Sequence, residues 1–220
     1  MADVTCVMVT GHKPERLPFA RLMAQSFLNQ TYERSYLLVL NEGESLGFEH
    51  ERIDEKLLGP SVQTLGELRN LALDMVKTPF IMQWDDDDWC RSDRVAYQMA
   101  AMVDGVDRVT LGHQLCYDWT TGECVHKDGS SWDWGFPGTI LHRATAARYP
   151  HRKRGEDSVF IRRFGGDLVI LDNDPAVYVR TYTGHNTWDQ YHVVKACKHR
   201  EVDIPEEVEL MLRTFKEMNT

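Results

Sequence analysis

Apolar positions along this chain fall into short continuous blocks separated by stretches of helical period. Asp3-Val4-Thr5-Cys6-Val7-Met8-Val9-Thr10 is a near-unbroken apolar block and predicts a first, buried strand over residues 3–10. A Gly11-His12-Lys13-Pro14 turn follows. Leu17, Leu22, Met23 and Phe27 then line the inner side of a helix expected over about residues 15–29. Tyr36-Leu37-Leu38-Val39-Leu40 predicts a second strand that ends in the polar loop Asn41-Glu42-Gly43-Glu44-Ser45. Helical spacing returns at Leu68, Leu71, Ala72 and Met75, in a segment 66–77 that Thr78-Pro79 stops. Proline lacks the backbone donor and pushes the residue before it out of the α region. Phe80-Ile81-Met82-Gln83-Trp84 reads as a third strand, and another helix is expected over about 92–103.

Strands alternating with helices argue a parallel sheet, and ligand sites on such sheets lie beyond the carboxyl ends of the strands. Three loops qualify: Thr10-Gly11-His12, Asn41-Glu42 and Asp85–Asp88. Past about residue 105 the character changes. Residues 107–127 read as a hairpin around Thr120-Thr121-Gly122, and 138–142 and 175–183 read as further strands. Between these two lies a helix at 156–164, and 205–218 is amphipathic and helical. No repeat or Pro/Gly/Ser-rich linker divides the chain, so one fused domain over 1–220 is expected. The fold class is α/β: a Rossmann-like, mostly parallel sheet flanked by helices, with a smaller antiparallel portion.

Composition narrows the classes. The chain has 220 residues, 42% hydrophobic and 27% charged, which suits a packed core rather than disorder. No apolar run approaches the ~20 residues of a membrane-spanning helix, and Met1–Thr5 lacks the basic and apolar regions of a secretory leader. Five cysteines (Cys6, Cys90, Cys116, Cys124, Cys197) form no CxxC, so a reduced, cytoplasmic protein without a disulfide framework is expected. The net charge of -9 opposes broad nucleic-acid or membrane binding. Yet Arg143, Arg148, Arg152, Lys153, Arg154, Arg162 and Arg163 stand against only Glu156 and Asp157 between residues 143 and 163. This basic island suits either a solvated face or a phosphate-facing surface.

The most informative stretch is Trp84-Asp85-Asp86-Asp87-Asp88-Trp89, at the end of the third strand. Four adjacent carboxylates repel, and their cost must be offset by something cationic if they share a rigid strand end. A hard divalent ion with oxygen ligands meets that need. A solvated turn capping the next helix is the plainer alternative.

The strand, Pro-containing turn and helix ending in Ser26-Phe27-Leu28-Asn29-Gln30-Thr31-Tyr32, then Gly66-Glu67-Leu68-Arg69-Asn70-Leu71-Ala72 leading into Phe80–Trp89, together resemble inverting family 2 glycosyltransferases of the GT-A fold. The resemblance covers about residues 3–185. It implies a metal-dependent transfer of a sugar from a nucleotide diphosphate sugar to an acceptor hydroxyl. The nucleotide sugar would sit on about residues 1–105, the acceptor and base on about 106–190, and a helical tail would follow over about 191–220. Asp85 and Asp87 match the DxD positions, Asp87 as direct metal ligand and Asp85, with Asp86, on the ribose or diphosphate side; Asp88 matches a further acidic position. Thr10 and Gly11 match the first nucleotide-facing loop, and Arg69 a helix cation offered to the donor. Asn41 and Glu42 fall where the family carries a pair of aspartates before Gly-Ser, one of which reads uracil. A UDP-sugar is the expected donor, and this departure bears directly on its base.

Gly155-Glu156-Asp157-Ser158 matches the family's ED motif, which implies Asp157 as the base that deprotonates the acceptor and Glu156 as its partner; a plain helix N-cap is the alternative. His185, in Tyr182-Thr183-Gly184-His185-Asn186, matches a family histidine that completes the metal site, and Arg180 is the alternative diphosphate contact. Imidazole suits Mn2+ better than Mg2+. One of Trp132, Trp134 and Phe136 is expected on the acceptor. The acceptor is expected to be a glycan or, given the island, an anionic one such as a hydroxymethylated base in DNA. Two other classes stand beside this reading: a nucleotidyltransferase, for which Gly11-His12-Lys13-Pro14 makes a poor phosphate loop, and a non-catalytic nucleotide-sugar binder.

Overall fold

The apolar block at the start forms β1 (Val4–Thr10), an interior strand of the larger of two sheets. The computed structural model describes residues 2–61, 63–196 and 199–219; Met1 and Cys197 lie outside them. A short 3-10 turn, Pro14–Arg16, leads into α1 (Leu17–Leu28), whose Leu22, Met23 and Phe27 are fully buried. β2 (Ser35–Asn41) pairs parallel with β1, and β3 (Ile53–Leu57) pairs parallel with β2 at the sheet edge. α2 (Leu65–Met75) opens with a capping box between Thr64 and Glu67 and crosses to β4 (Phe80–Gln83), which pairs parallel with the other side of β1. Strand order thus reverses between β1 and β4, and the crevice outside their carboxyl ends is a switch point.

Beyond β4 the chain leaves this sheet at the acid turn. β5 (Trp89–Cys90) already belongs to a second sheet, and α3 (Arg94–Ala100) returns the chain to the first. The expected 107–127 hairpin is divided. β6 (Val106–Leu111) lies in the large sheet, while β7 (His113–Asp118) and β8 (Cys124–Asp128) form the hairpin in the small one. The break falls at Gly112, where a Cβ would lie 2.8 Å from the carbonyl oxygen of Leu171. β9 (Phe136–Arg143) runs antiparallel to both β4 and β6. α4 (Glu156–Arg163), β10 (Asp167–Leu171), β11 (Tyr178–Tyr182), β12 (His199–Glu201) and α5 (Glu206–Met218) complete the order. Among the described residues the sheets read β10-β6-β9-β4-β1-β2-β3 and β12-β8-β7-β11-β5. The large sheet is mostly parallel and flanked by helices, and the small one is mostly antiparallel with one parallel pair, β7 with β11. Cys6, Cys90, Cys116 and Cys124 are buried free thiols. Among the described residues no helix is long and apolar enough to cross a membrane.

Candidate functional site

The acid turn is the crossover between the two sheets, and its four carboxylates have four different surroundings. Asp86 and Asp88 are buried, while Asp85 and Asp87 keep 24% and 14% of their side chains exposed. Asp86 and Asp87 form a turn between β4 and β5, and exposure alternates along the run, Asp85 and Asp87 partly exposed, Asp86 and Asp88 buried. Asp85 takes a bond from Arg69 Nη2 at 2.8 Å and two from Gln83 Nε2 at 3.0 and 3.1 Å. Asp86 is gripped by Arg16 through Nε at 2.9 Å and through Nη2. Asp87 Oδ2 accepts from Arg16 Nη2 at 3.2 Å and Asn186 Nδ2 at 2.8 Å. Asp88 accepts from the Tyr178 hydroxyl and from the Thr181 backbone N–H at 2.8 Å, both on β11. Burial pushes the carboxyls of Asp85 and Asp87 up, against the pull of Arg69 and Arg16, and raises Asp88 to about 6.

Arg69 ties this turn to the second acid pair. It is 7% exposed, lies on α2, and reaches Asp85 on one side and Glu156 Oε1, 3.0 Å from Nη1, on the other. Its guanidinium also sits over the Tyr149 ring at 5.4 Å. Gly66 and Asn70 of the same helix explain the reach. A Cβ on Gly66 would fall 1.9 Å from the Pro150 carbonyl oxygen, so only glycine lets α2 approach the loop before α4 this closely. Asn70 then pairs with both backbone groups of Tyr149, at 2.8 and 2.9 Å. Glu156 is buried, and burial raises its carboxyl against the pull of Arg69. Asp157 accepts from the Ser158 N–H through Oδ1 at 2.6 Å. Its Oδ2 points toward Gly138, where a Cβ would stand 3.9 Å from it and 3.4 Å from Asp85 Oδ2. The missing side chain at Gly138 leaves a gap faced by both carboxylates.

The loops after β1 and β2 form an adjoining, open cleft lined by residues that include Thr10, Gly11, Lys13, Asn41 and Glu44. Asn41 is spent within its own loop. Its amide donates to Glu44 O and Glu55 Oε1, both at 2.7 Å, and accepts from Gly43 N at 2.7 Å. Glu42 accepts from the Ser61 N–H at 3.1 Å and from its hydroxyl. His185 is exposed, and its carbonyl rather than its ring meets the acid region, accepting from Arg16 Nη1 at 3.0 Å. Among the described residues no three His, Cys, Asp or Glu side chains converge as a metal cage. The donor set nonetheless suits a hard divalent ion. Asp85 and Asp87 keep partly exposed carboxylate oxygens, the ligand type such an ion takes, and Asp87 Oδ1 accepts no hydrogen bond among the described residues.

Of the aromatic loop, Phe136 is buried against Trp132, and Trp134 carries Arg162 over its ring at 5.3 Å. Trp188 is sandwiched between His192, 4.0 Å between ring centroids, and Arg154 at 5.4 Å. Arg152, Lys153, Arg154, Arg162 and Arg163 are exposed, and among the described residues none makes an ion pair with a carboxylate. Arg16, Asn186 and Tyr178 join the site without standing out in the sequence. The signal for Arg16 is that four carboxylates at one strand end demand cations from neighbouring loops, and the loop after β1 supplies one.

No family model matches the chain, and no curated protein matches it. Solved structures do. Residues 1–349 of TarS from S. aureus superpose with a TM-score of 0.62 at 14% identity, over 81% of this chain and 60% of that one. The same fragment in complex with UDP-GlcNAc gives 0.59 at 12% identity, over 97% of this chain and 65% of that one. The mannosyltransferase PcManGT from Pyrobaculum calidifontis, in complex with GDP-Man and Mn2+, gives 0.57 at 15% identity, over 83% and 59%. The chain therefore spans less than two thirds of each of these proteins, and shares with them the α/β fold of GT-A-type glycosyltransferases.

Proposed function

We propose that the chain is an inverting glycosyltransferase of the family 2 type, moving a sugar from a nucleotide diphosphate sugar to an acceptor hydroxyl. The observation that carries this reading is Arg69 held between Asp85 and Glu156, with Asp157 Oδ2 and Asp85 Oδ2 facing one gap over Gly138. Two acid pairs from distant parts of the chain thus border one space. The donor occupies the half formed by residues 1–105, its nucleotide in the cleft at Thr10, Gly11 and Asn41. A UDP-sugar remains the expected donor, supported by the TarS complex with UDP-GlcNAc; the GDP-Man complex of PcManGT makes the base a question for experiment. Since the amide of Asn41 is committed to its own loop, the base is read by other groups of the cleft.

Asp157 Oδ2 takes the proton of the acceptor hydroxyl as that oxygen attacks the anomeric carbon from the face opposite the leaving diphosphate. Glu156, fixed by Arg69, holds the first turn of α4 and so sets where Asp157 points. Asp85 and Asp87 would hold a divalent ion, Mn2+ or Mg2+, with His185 reaching it only by turning its ring inward. When bound, such an ion supplies neutralisation of the leaving diphosphate's charge. The five cations around α4 that make no ion pair with a carboxylate among the described residues support an anionic acceptor, met by an acidic glycan or by hydroxymethylated DNA alike.

A screen of nucleotide sugars with Mn2+, followed by transfer assays with Asp157→Asn, tests this. Wild-type protein should consume one donor class, and Asp157→Asn should abolish transfer while binding the donor as before in calorimetry. Undiminished turnover by Asp157→Asn would refute the assignment of the base.

A further inference from the structure

We propose that Arg16 is the resident counter-cation of the acid turn, and that a divalent ion reaches Asp87 only in competition with it. The proposal rests on the glycosyltransferase reading of that turn and adds a residue outside its motif. Arg16 ends the Pro14–Arg16 turn and its side chain is 16% exposed. One guanidinium binds three residues on two chain segments: Nε and Nη2 on Asp86, Nη2 on Asp87, and Nη1 on the carbonyl of His185. The grip is uneven. Asp86 receives a two-pronged contact, the stronger geometry for arginine and carboxylate, while Asp87 receives one bond at 3.2 Å. Asp87 Oδ1 accepts no hydrogen bond among the described residues.

Two consequences follow. An ion on Asp87 would share that carboxylate with a positive charge anchored on Asp86, and like charges at such range repel. Arg16 therefore weakens the ion while the donor is absent. A diphosphate brings negative charge for both cations, so ion and nucleotide bind with mutual reinforcement. Arg16 is in this sense a positioning residue that couples the two ligands, and it also ties the loops after β1 and β11 to the turn.

The test measures Mn2+ binding directly, by the electron paramagnetic resonance of the free ion, with no turnover required. Arg16→Gln should bind Mn2+ alone at least about tenfold more tightly than wild type, since one nearby positive charge is removed. Addition of UDP should tighten Mn2+ markedly in wild type and much less in Arg16→Gln. Arg16→Lys loses the two-pronged grip on Asp86 but keeps the positive charge that opposes the ion, and should stay within about threefold of wild type, which preserves the test if the glutamine variant folds poorly. Mn2+ affinity unchanged or weaker in Arg16→Gln, or raised in Arg16→Lys, would overturn the proposal. Wild-type turnover beside an unchanged Arg16→Gln affinity sinks this inference alone. A tightened Mn2+ site with no turnover on any nucleotide sugar leaves it standing and sinks the functional reading.

Discussion

The acid turn and the basic island are the two densest runs of like charge in the chain, and the structure treats them oppositely. In the turn every carboxylate has a partner: Asp85 has Arg69, Asp86 and Asp87 share Arg16, and Asp88 has Tyr178 and Thr181. A buried charge without compensation costs several kcal/mol, so the turn can exist at the junction of two sheets only because arginines from α2 and from the loop after β1 reach it. In the island, Arg148 pairs with Asp74 at 2.7 Å, whereas Arg154 and Arg162 lie over the indole rings of Trp188 and Trp134. Indole orients a guanidinium without neutralising it, and its N–H edges stay available. Paired charge builds the acid turn, while Arg152, Lys153, Arg154, Arg162 and Arg163 make no ion pair with a carboxylate among the described residues.

Breaking the paired side should have the largest effect. Arg69→Gln strands Asp85 and Glu156 together, and removal of one member of a buried ion pair costs about 3–5 kcal/mol. Urea unfolding at neutral pH should show a loss of that size. A loss near zero would mean that Arg69 does not hold the two acid groups in solution.

A pH titration sharpens the same contrast. Burial raises Asp88 from 3.8 to about 6, so the folded state takes up this proton first. Its contribution to stability therefore grows as pH falls through 6 toward 4, by about 3 kcal/mol. Buried His142, on β9 between Phe160 and Phe164, is lowered from 6.5 to about 4. The folded state resists its protonation, so stability is lost as pH falls from 6.5 through 4, again by about 3 kcal/mol. The two contributions oppose each other over nearly the same window. Asp88→Asn should make the protein lose stability more steeply on acidification than wild type, and His142→Leu less steeply. Parallel stability profiles for all three proteins would contradict the buried charges assigned here.

These partnerships explain what could be read in the sequence. β1, β2 and β4 are buried on both faces, and their continuous apolar blocks announce them. β3 carries Asp54, Glu55 and Lys56 at an exposed edge and has no such signature. The division of the 107–127 segment between two sheets turns on the close approach at Gly112, which no local pattern encodes. At the site, Asp85, Asp87, Glu156 and Asp157 stand out as charges in a motif. Arg69 stands out as a cation, but its place between Asp85 and Glu156 depends on Gly66 and Asn70 docking α2 against the 149–152 loop. Arg16 meets its partners 70 and 71 residues away, a distance at which periodicity carries no information.

Neutralising the unpaired side should barely touch stability and should act on the acceptor instead. Arg152→Gln, Lys153→Gln and Arg163→Gln together remove three exposed charges that make no ion pair among the described residues, so each should shift unfolding by no more than about 0.5 kcal/mol. Donor binding, proposed for the cleft at Thr10, Gly11 and Asn41, should be unchanged. If the acceptor is anionic, its KM should rise in the triple variant and the rise should shrink with added salt, since screening already weakens exposed charges in the wild type. An acceptor KM insensitive to both the substitutions and the salt would assign the island to solvation alone.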